Sequence, residues 1–489
     1  MDGLQYLLDC TGILPILILF ATGILILLLD AFAPRGRKGR LAALALAGVL
    51  LAMIGWWRPL PVERELFGGM LFADSFGFFF DGLFLATAAL IILFSAGTLD
   101  RDRIDLGEYY ALLLFSVTGM MLMARAANLI MLFLGLEVLS IAIYILVGMP
   151  RHERKANEAC LKYFLLGAFS SGFFLYGMTF IYGASGSLSL AAMAAAFGQG
   201  DLPHNPYLLL GTALLLVGFS FKIALVPFHM WTPDVYEGAP TPITAYMAVA
   251  VKAAVFAALA RVFWMALPSL QPQWTNLFWV LAVLTMTVGN VAALVQTNIK
   301  RMLAYSSIAH AGYILVAVVA GSAQGLTGML VYLAAYTFMN VGAFGVVILV
   351  QERLGIGEDV DDFRGLGFAS PALGAAMAVF LFSLAGIPPT AGFVAKFFVF
   401  LAAIEASFTW LVILAVVNSA VAVYYYLRVV IVMYSRAESP TSLADRFGLG
   451  RIPSAALGAL IVALWATLQI GILPQSLWEL ARHSVTALL

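Results

Sequence analysis

Cysteine and charge are both scarce in this 489-residue chain. Its two cysteines, Cys10 and Cys160, fall near opposite faces of a membrane on the topology described below, which excludes a disulfide. There is no CxxC pair, no HxxxH pair and no glycine-rich phosphate loop after a strand, so the sequence offers no metal, iron–sulfur or nucleotide site. Charged residues are only 11% of the chain, 26 basic against 26 acidic, and no basic patch is interleaved with aromatics. Nucleic acid is therefore excluded as a partner. The opening MDGLQYLLDC has two aspartates where a secretory leader carries lysine or arginine, so the first apolar run is expected to stay as a membrane helix.

What fills the chain instead is apolar. Hydrophobic residues make up 63% of it, and the mean hydropathy of +0.99 lies outside the range of soluble domains. The fold class is all-α, a polytopic membrane protein embedded in a lipid bilayer. Apolar runs of roughly 20 residues predict about 14 transmembrane helices, at about 11–33, 41–57, 76–98, 109–124, 127–149, 157–183, 207–230, 243–264, 274–296, 300–320, 325–350, 371–404, 408–434 and 454–474. The connecting loops are short, so their basic residues report orientation. Arg35, Arg37, Lys38, Arg40, Arg101, Arg103, Arg151, Arg154, Lys155, Lys300, Arg301, Arg353, Arg364, Arg428, Arg436, Arg446 and Arg451 fall on one side. Only Arg58, Arg64, Arg125, Arg261 and Arg482 fall on the other. The asymmetry puts the basic loops in the cytoplasm and both termini outside.

Two spans carry helix breakers at membrane depth, the seventh at Pro227 and the twelfth at Gly386-Ile387-Pro388-Pro389. A proline there removes a hydrogen bond and frees a carbonyl, which a bilayer tolerates only where protein or water satisfies it. Broken helices in corresponding positions point to a transport site. These correspond, each being fourth in a set of five spans, and two tandem sets of five sit upside down to one another. The predicted organisation is therefore an N-terminal three-helix segment (1–107), a first repeat (108–265), a second, inverted five-helix repeat (266–435) and a C-terminal span (436–489). Each repeat contains a broken helix.

Four lysines lie outside the loops: Lys162, Lys222, Lys252 and Lys396. Each costs about 2.5–3.5 kcal/mol at the centre of an isolated spanning helix. One carboxylate, Glu137, sits in mid-span with Ser140 and Tyr144 on its helical face. His310 is central in the tenth span beside Ser306, Ser307 and Tyr313, and Tyr332, Tyr336 and Asn340 form a hydrophilic seam on the eleventh. Burial lowers a lysine pKa from about 10.4 by several units, and a carboxylate at about 4 Å returns roughly 4 kcal/mol at an effective dielectric of about 20, or about three units. Opening or closing one ion pair therefore loads or unloads a lysine. The expectation is Glu137 as the modulating partner, Lys222 as the first switched carrier, and Lys252, His310 and Lys396 continuing the path. Structural alternatives stand beside this: fixed ion pairs for the lysines, a hydrogen-bonded core role for His310, an interfacial role for His229, and snorkelling for Lys162. Asp30, Asp81 and Glu405 read as interfacial residues near span ends.

The segments FLGLEVLSIAIYILVG, KYFLLGAFSSGFFLYG, FKIALVPFHMWTPDVYEGAPTPITAY, NIKRMLAYSSIAHAGYILV and LAGIPPTAGFVAKF closely resemble the subunit N family of bacterial NADH:quinone oxidoreductase, respiratory complex I. That family is the counterpart of mitochondrial NADH dehydrogenase subunit 2. The resemblance runs from about the fourth span through the thirteenth. It implies an antiporter-like subunit of the membrane arm that takes part in proton pumping, with NADH, FMN, iron–sulfur clusters and quinone held by other subunits and no cofactor in this chain. On the matching motif positions, Glu137 is the fifth-helix glutamate, Lys222 the seventh-helix lysine, Lys252 the eighth-helix lysine and Lys396 the twelfth-helix lysine; His229 matches a histidine just past the seventh-helix break. The implied partners are other membrane-arm subunits, including antiporter-like subunit M and small subunit K, in a bacterial inner membrane. The competing readings are a subunit of a multisubunit sodium/proton antiporter and a membrane scaffold whose buried charges only fix packing.

Overall fold

The structure, a computed structural model, describes residues 3–32, 39–57, 63–98, 107–198, 205–354, 358–435 and 453–489. Arg35, Arg37, Lys38, Arg58, Arg101, Arg103, Arg436, Arg446 and Arg451, on which much of the orientation reading rests, lie outside the described residues. Backbone groups in lipid must find their partners within the chain, and a helix satisfies them locally. The architecture accordingly is a bundle of helices: α1 (Leu14–Phe32), α2 (Gly39–Trp56), α3 (Ser75–Thr98), α4 (Gly107–Arg125), α5 (Leu129–Val147), α6 (Arg154–Ser185), α7 (Pro206–Ile223), α8 (Thr241–Ala266), α9 (Gln271–Leu294), α10 (Ile299–Val319), α11 (Ala323–Leu354), α12 (Pro371–Ala385), α13 (Ala391–Glu405), α14 (Thr409–Met433), α15 (Ser454–Ile472) and α16 (Gln475–Val485). Among the described residues, 12 are long and apolar enough to cross a membrane. The expected second span, α2, is shorter, and the expected twelfth is divided into the short helices α12 and α13 by the break at Gly386. A two-stranded antiparallel hairpin, β1 (Arg64–Leu66) with β2 (Leu71–Ala73), pairs Arg64 with Ala73 and covers one end of the bundle.

Burial is uneven in a way that places the site. α8 is buried along its whole length and α10 and α11 almost so, whereas α1, α6, α14 and α15 turn most of their surface outward. The central helices carry Lys252, His310 and the tyrosines of α11. Elsewhere helices touch backbone to backbone. A Cβ on Gly119 of α4 would lie 2.7 Å from the carbonyl of Gly135 on α5, and one on Gly135 2.8 Å from that of Gly119, so only glycine permits the α4–α5 contact.

The two breaks share one construction. α7 ends with Ala224 in the left-handed region (φ 60), its N–H bonded to Phe221 O at 3.1 Å while Leu225 N–H reaches Ser220 O at 2.8 Å. α12 ends with Gly386 (φ 89), its N–H on Ser383 O at 3.0 Å and Ile387 N–H on Phe382 O at 3.0 Å. Both are Schellman motifs, in which two backbone bonds close the last turn and leave the final carbonyls of the helix without backbone donors. Glycine adopts this conformation freely, whereas Ala224 holds it at a cost of about 1–2 kcal/mol. Each left-handed residue is followed at the third position by a proline, Pro227 or Pro389, after a cis peptide bond.

The structure corrects three placements. Arg125 and Arg261 were expected in outer loops and Asp81 at an interface. All three are buried: Arg125 pairs with Asp81 at 2.6 Å, and Arg261 pairs with Asp74 at 2.8 Å. Arg125 also donates to Gly12 O at 3.1 Å, and Arg261 to Ala124 O at 2.5 Å, with its guanidinium over Phe72 and Phe76. The ends of these spans are capped by the hairpin and the N-terminal segment, so nearness to a span end does not bring water. Removing one partner of a buried pair costs about 3–5 kcal/mol because the other charge is left bare. Arg261→Met is therefore expected to lower the thermal stability of the detergent-solubilised protein sharply, and Asp74→Asn added to it to restore part of the loss. An Arg261→Met variant as stable as the parent would contradict this.

Candidate functional site

Lys222 is the penultimate residue of α7, buried, with its ammonium at the negative end of the helix dipole. Its Nζ donates to Ser140 Oγ at 2.7 Å and Tyr144 OH at 3.0 Å, and it lies over the rings of Tyr144, Tyr163 and Phe221 at 5.0, 5.5 and 5.9 Å. Ser140 Oγ gives its own proton to Leu136 O at 2.5 Å, which turns its lone pairs toward the lysine. The serine and tyrosine that share a helical face with Glu137 thus hold the ammonium. Glu137 itself is half-buried and accepts from Ser171 Oγ on α6 at 2.5 Å. No ion pair joins Glu137 to Lys222 among the described residues: the expected modulating contact is open here, with Ser140 one turn along α5 between them. His229 lies in the break after α7, half-buried, its Nδ1 without a hydrogen-bond partner among the described residues and joined to none of the lysines.

A second cluster surrounds the centre of the bundle. Lys252 follows a π-helical stretch, Met247–Val251, inside α8, and such stretches open the backbone where side chains must be placed. Its buried Nζ donates to Ser307 O at 2.5 Å and Ser307 Oγ at 2.6 Å on α10. His310, one turn further along α10, meets Tyr332 OH at 2.7 Å through Nδ1 and Tyr426 OH at 3.3 Å through Nε2, with the Tyr336 ring 4.9 Å away. Tyr426 also bonds Ser306. Both Lys252 and Lys396 lie within electrostatic range of His310.

Lys396 occupies α13, but its Nζ reaches back across the break to Leu384 O at 3.2 Å and Ala385 O at 2.9 Å, the carbonyls that the Schellman end of α12 leaves over. Ser419 Oγ of α14 is its third partner at 2.8 Å, and the Tyr313 ring lies 4.8 Å beneath it. A cavity of about 410 Å³ between α13 and α14 reaches Lys396 and Ser419. The structure thus brings Lys252, His310 and Lys396 into one neighbourhood and leaves Lys222 in another; no direct hydrogen bond between the two is present among the described residues. Sequence reasoning grouped Ser307 with His310 rather than with Lys252, and missed Ser419, the hydroxyl partner of Lys396.

Around the short helix Thr232–Gly238 that follows the first break, charges are paired at the surface. Asp234 meets Lys162 at 2.8 Å and Arg301 at 2.8 Å; Glu237 meets Arg301 at 2.8 Å and Lys155 at 2.9 Å. Lys300 donates to Glu237 O at 2.7 Å and Ala239 O at 2.8 Å. Lys162, expected to snorkel, is 41% exposed and also pairs with Glu158. Partial burial pushes both Asp234 and Glu237 upward, but the hydrogen bonds and charges of Lys162, Arg301 and Lys155 outweigh it and hold both below the usual carboxylate range.

Broken helices with buried lysines in an antiporter-like bundle define a class, and the comparisons agree with it. Residues 126–422 match the family described as NADH:quinone oxidoreductase/Mrp antiporter, transmembrane. A chain of the Mrp complex from Dietzia sp. DQ12-45-1b aligns over 98% of this chain and 97% of that one with a TM-score of 0.84 at 21% identity, a likeness in fold alone. A chain of respiratory complex I from Thermus thermophilus with bound aureothin aligns over 95% of this chain and 98% of that one, with a TM-score of 0.78 and 35% identity. NADH-quinone oxidoreductase subunit N of Trichlorobacter lovleyi is 47% identical over 477 residues, 97% of this chain and 96% of that protein. The chain belongs to the NADH-quinone oxidoreductase subunit N family.

A carboxylate whose folded pKa is depressed stabilises the fold above its unfolded pKa, and that contribution is lost as pH falls through the folded value. The clamp on Thr232–Gly238 is therefore expected to persist through neutral and mildly acidic pH and to loosen below the ordinary carboxylate range. Asp234→Asn should speed amide hydrogen exchange in residues 232–241 at neutral pH. Equal exchange in variant and parent would show that the pairs do not hold this helix.

Proposed function

We propose that this chain is a proton-translocating membrane-arm subunit of NADH:quinone oxidoreductase, relaying protons along Glu137, Lys222, Lys252, His310 and Lys396 while NADH oxidation and quinone reduction occur in other subunits. NADH, FMN, iron–sulfur clusters and quinone belong to those subunits on this reading, and subunits M and K are its neighbours in a bacterial inner membrane. Both termini face the periplasm, and segments 108–265 and 266–435 act as inverted halves, each with one lysine at its break. His229 has an ancillary place beside the first break.

The observation that carries the proposal is the nature of the lysine partners. Lys222, Lys252 and Lys396 are buried, and among the described residues none has a carboxylate within ion-pair distance. Each instead faces a hydroxyl: Ser140 and Tyr144, Ser307, or Ser419. A fixed carboxylate would lock the charge in place, whereas a hydroxyl accepts from an ammonium and, after rotation, donates to a neutral amine. Each lysine therefore keeps a bonded partner in either protonation state, which is the requirement for a carrier. Glu137, held by Ser171 a short way from Lys222, is placed to favour the loaded state when it closes on the lysine.

Lys222→Met and Glu137→Ala are each expected to remove most of this subunit's share of the protons moved per NADH in sealed vesicles, with NADH oxidation by detached peripheral subunits intact. Full stoichiometry in Lys222→Met would leave only a scaffold role. Lys396→Arg should impair transport nearly as much as loss of charge, because a guanidinium does not release its proton. A requirement for sodium would instead favour the antiporter reading that the shared fold allows.

A further inference from the structure

The last span and the helix after it, α15 and α16, lie outside the matched residues 126–422 and hold none of the proposed relay residues. They nevertheless touch the second break directly. Gly471, the penultimate residue of α15, lies against the backbone that joins α12 to α13. A Cβ on Gly471 would overlap the Pro389 carbonyl oxygen and sit 2.5 Å from Thr390 C and 2.7 Å from Thr390 Cα. All three are backbone atoms, so no change of rotamer relieves the overlap. The φ of Gly471 is not in the left-handed region, so glycine is required there for the close approach alone. Seven residues on, Trp478 of α16 meets the Phe398 ring of α13 with centroids 4.2 Å apart. One segment thus touches α13 at its N-cap, Thr390, and again two residues past Lys396. That segment is itself anchored, since α15 and α16 pack along α11 and bury Ala481 and Val485.

The contact falls where the geometry of Lys396 is most exposed to error. Its Nζ sits on α13 but donates to Leu384 O at 3.2 Å and Ala385 O at 2.9 Å on α12, so these bonds cross a joint. Bonds within one helix are set by the helix, whereas bonds across a joint depend on how the two pieces are held. A carbonyl ceases to be a partner beyond about 3.5 Å. Relieving a carbon–carbon contact of 2.5 Å to the usual separation of about 3.5 Å moves the break by about 1 Å, enough to lose both bonds. The joint has little slack of its own: Thr390 Oγ1 donates to Ile387 O at 2.7 Å and Gly392 N–H to Ser383 Oγ at 3.0 Å. A displacement at Pro389 and Thr390 is therefore passed on to α13. The first break differs, because Lys222 precedes it and takes its partners from α5.

Taking Lys396 as a carrier, which rests on the relay reading above, we propose that Gly471 is a positioning residue: α15 and α16 brace the second break through Gly471 and Trp478 and set the distance over which Lys396 reaches the carbonyls of α12. A larger residue at position 471 pushes α13 and opens those bonds. Gly458 supplies the comparison within the same helix, being exposed, with open space where its Cβ would stand.

The test uses the assembled complex in sealed vesicles, with proton movement normalised to NADH oxidation and to the amount of complex on native gels. Infrared spectra with isotope-labelled lysine accompany it, the N–H band of Lys396 being what each spectrum loses when Lys396→Met is added. Gly471→Ala is expected to lower this subunit's share of the protons moved per NADH severalfold and to shift the Lys396 band, whose frequency reports its acceptors. Gly458→Ala makes the same change where there is room and should leave both as in the parent. A role in packing alone would lower the amount of complex without moving the band. If Gly471→Ala does not assemble, Trp478→Ala, a truncation of a half-buried side chain, is read in its place, and the same band should shift because α13 loses its second support. An unmoved Lys396 band in the variant that assembles, or equal effects of Gly471→Ala and Gly458→Ala, overturns the brace. Failure of the relay reading is separate: it is seen as native pumping in Lys396→Met, while the band still reports whether Gly471 sets the bonds of Lys396.

Discussion

In a bilayer the protein must supply every hydrogen bond that water would otherwise provide, and the two broken helices turn this constraint into a site. A Schellman end satisfies two backbone bonds and leaves its last carbonyls over. At the second break those carbonyls, Leu384 and Ala385, are bonded by the ammonium of Lys396, so helix end and buried charge each remove the other's penalty. At the first break the lysine sits on the ending helix itself, and hydroxyls from α5 hold it. The same constraint explains why α8 carries Lys252 only where it is fully enclosed by other helices.

A second consequence concerns the kind of partner each charge has. Arg125 and Arg261 meet carboxylates and anchor the capped end of the bundle, a permanent arrangement suited to a guanidinium that stays charged. Lys222, Lys252 and Lys396 meet hydroxyls and carbonyls, which bind charged and neutral amines alike. The molecule thus separates structural charge from the charge proposed to be mobile, using ion pairs for one and neutral acceptors for the other. The ion-paired cluster on Thr232–Gly238 lies between these extremes, at the surface beside the first break.

Much of this was legible in the chain before any fold was known. A lysine or a proline inside an apolar run is conspicuous, and Lys222, Lys252, Lys396, Pro227 and Gly386-Ile387-Pro388-Pro389 could be marked from the run alone. Helical spacing put Ser140 and Tyr144 on the face of Glu137, and those two residues do hold Lys222. Ser307 had been grouped with His310 rather than with Lys252, and Ser419 had no signal, because a hydroxyl in a spanning helix usually bonds its own backbone one turn back. The burial of Asp74, Asp81, Arg125 and Arg261 depends on the hairpin folding over the span ends, a non-local event that hydropathy does not carry. The separation of Glu137 from Lys222 depends on side-chain conformation, which spacing on a helix does not determine.

The central claim, that hydroxyl-bound lysines in the bundle change charge, is tested most directly by infrared difference spectroscopy of the assembled complex carrying isotope-labelled lysine, at rest and during NADH turnover. The account expects an ammonium signal that changes with turnover and disappears from the difference spectrum in part with Lys252→Met and in part with Lys396→Met. Lysine bands that stay constant through turnover in a pumping complex would contradict it.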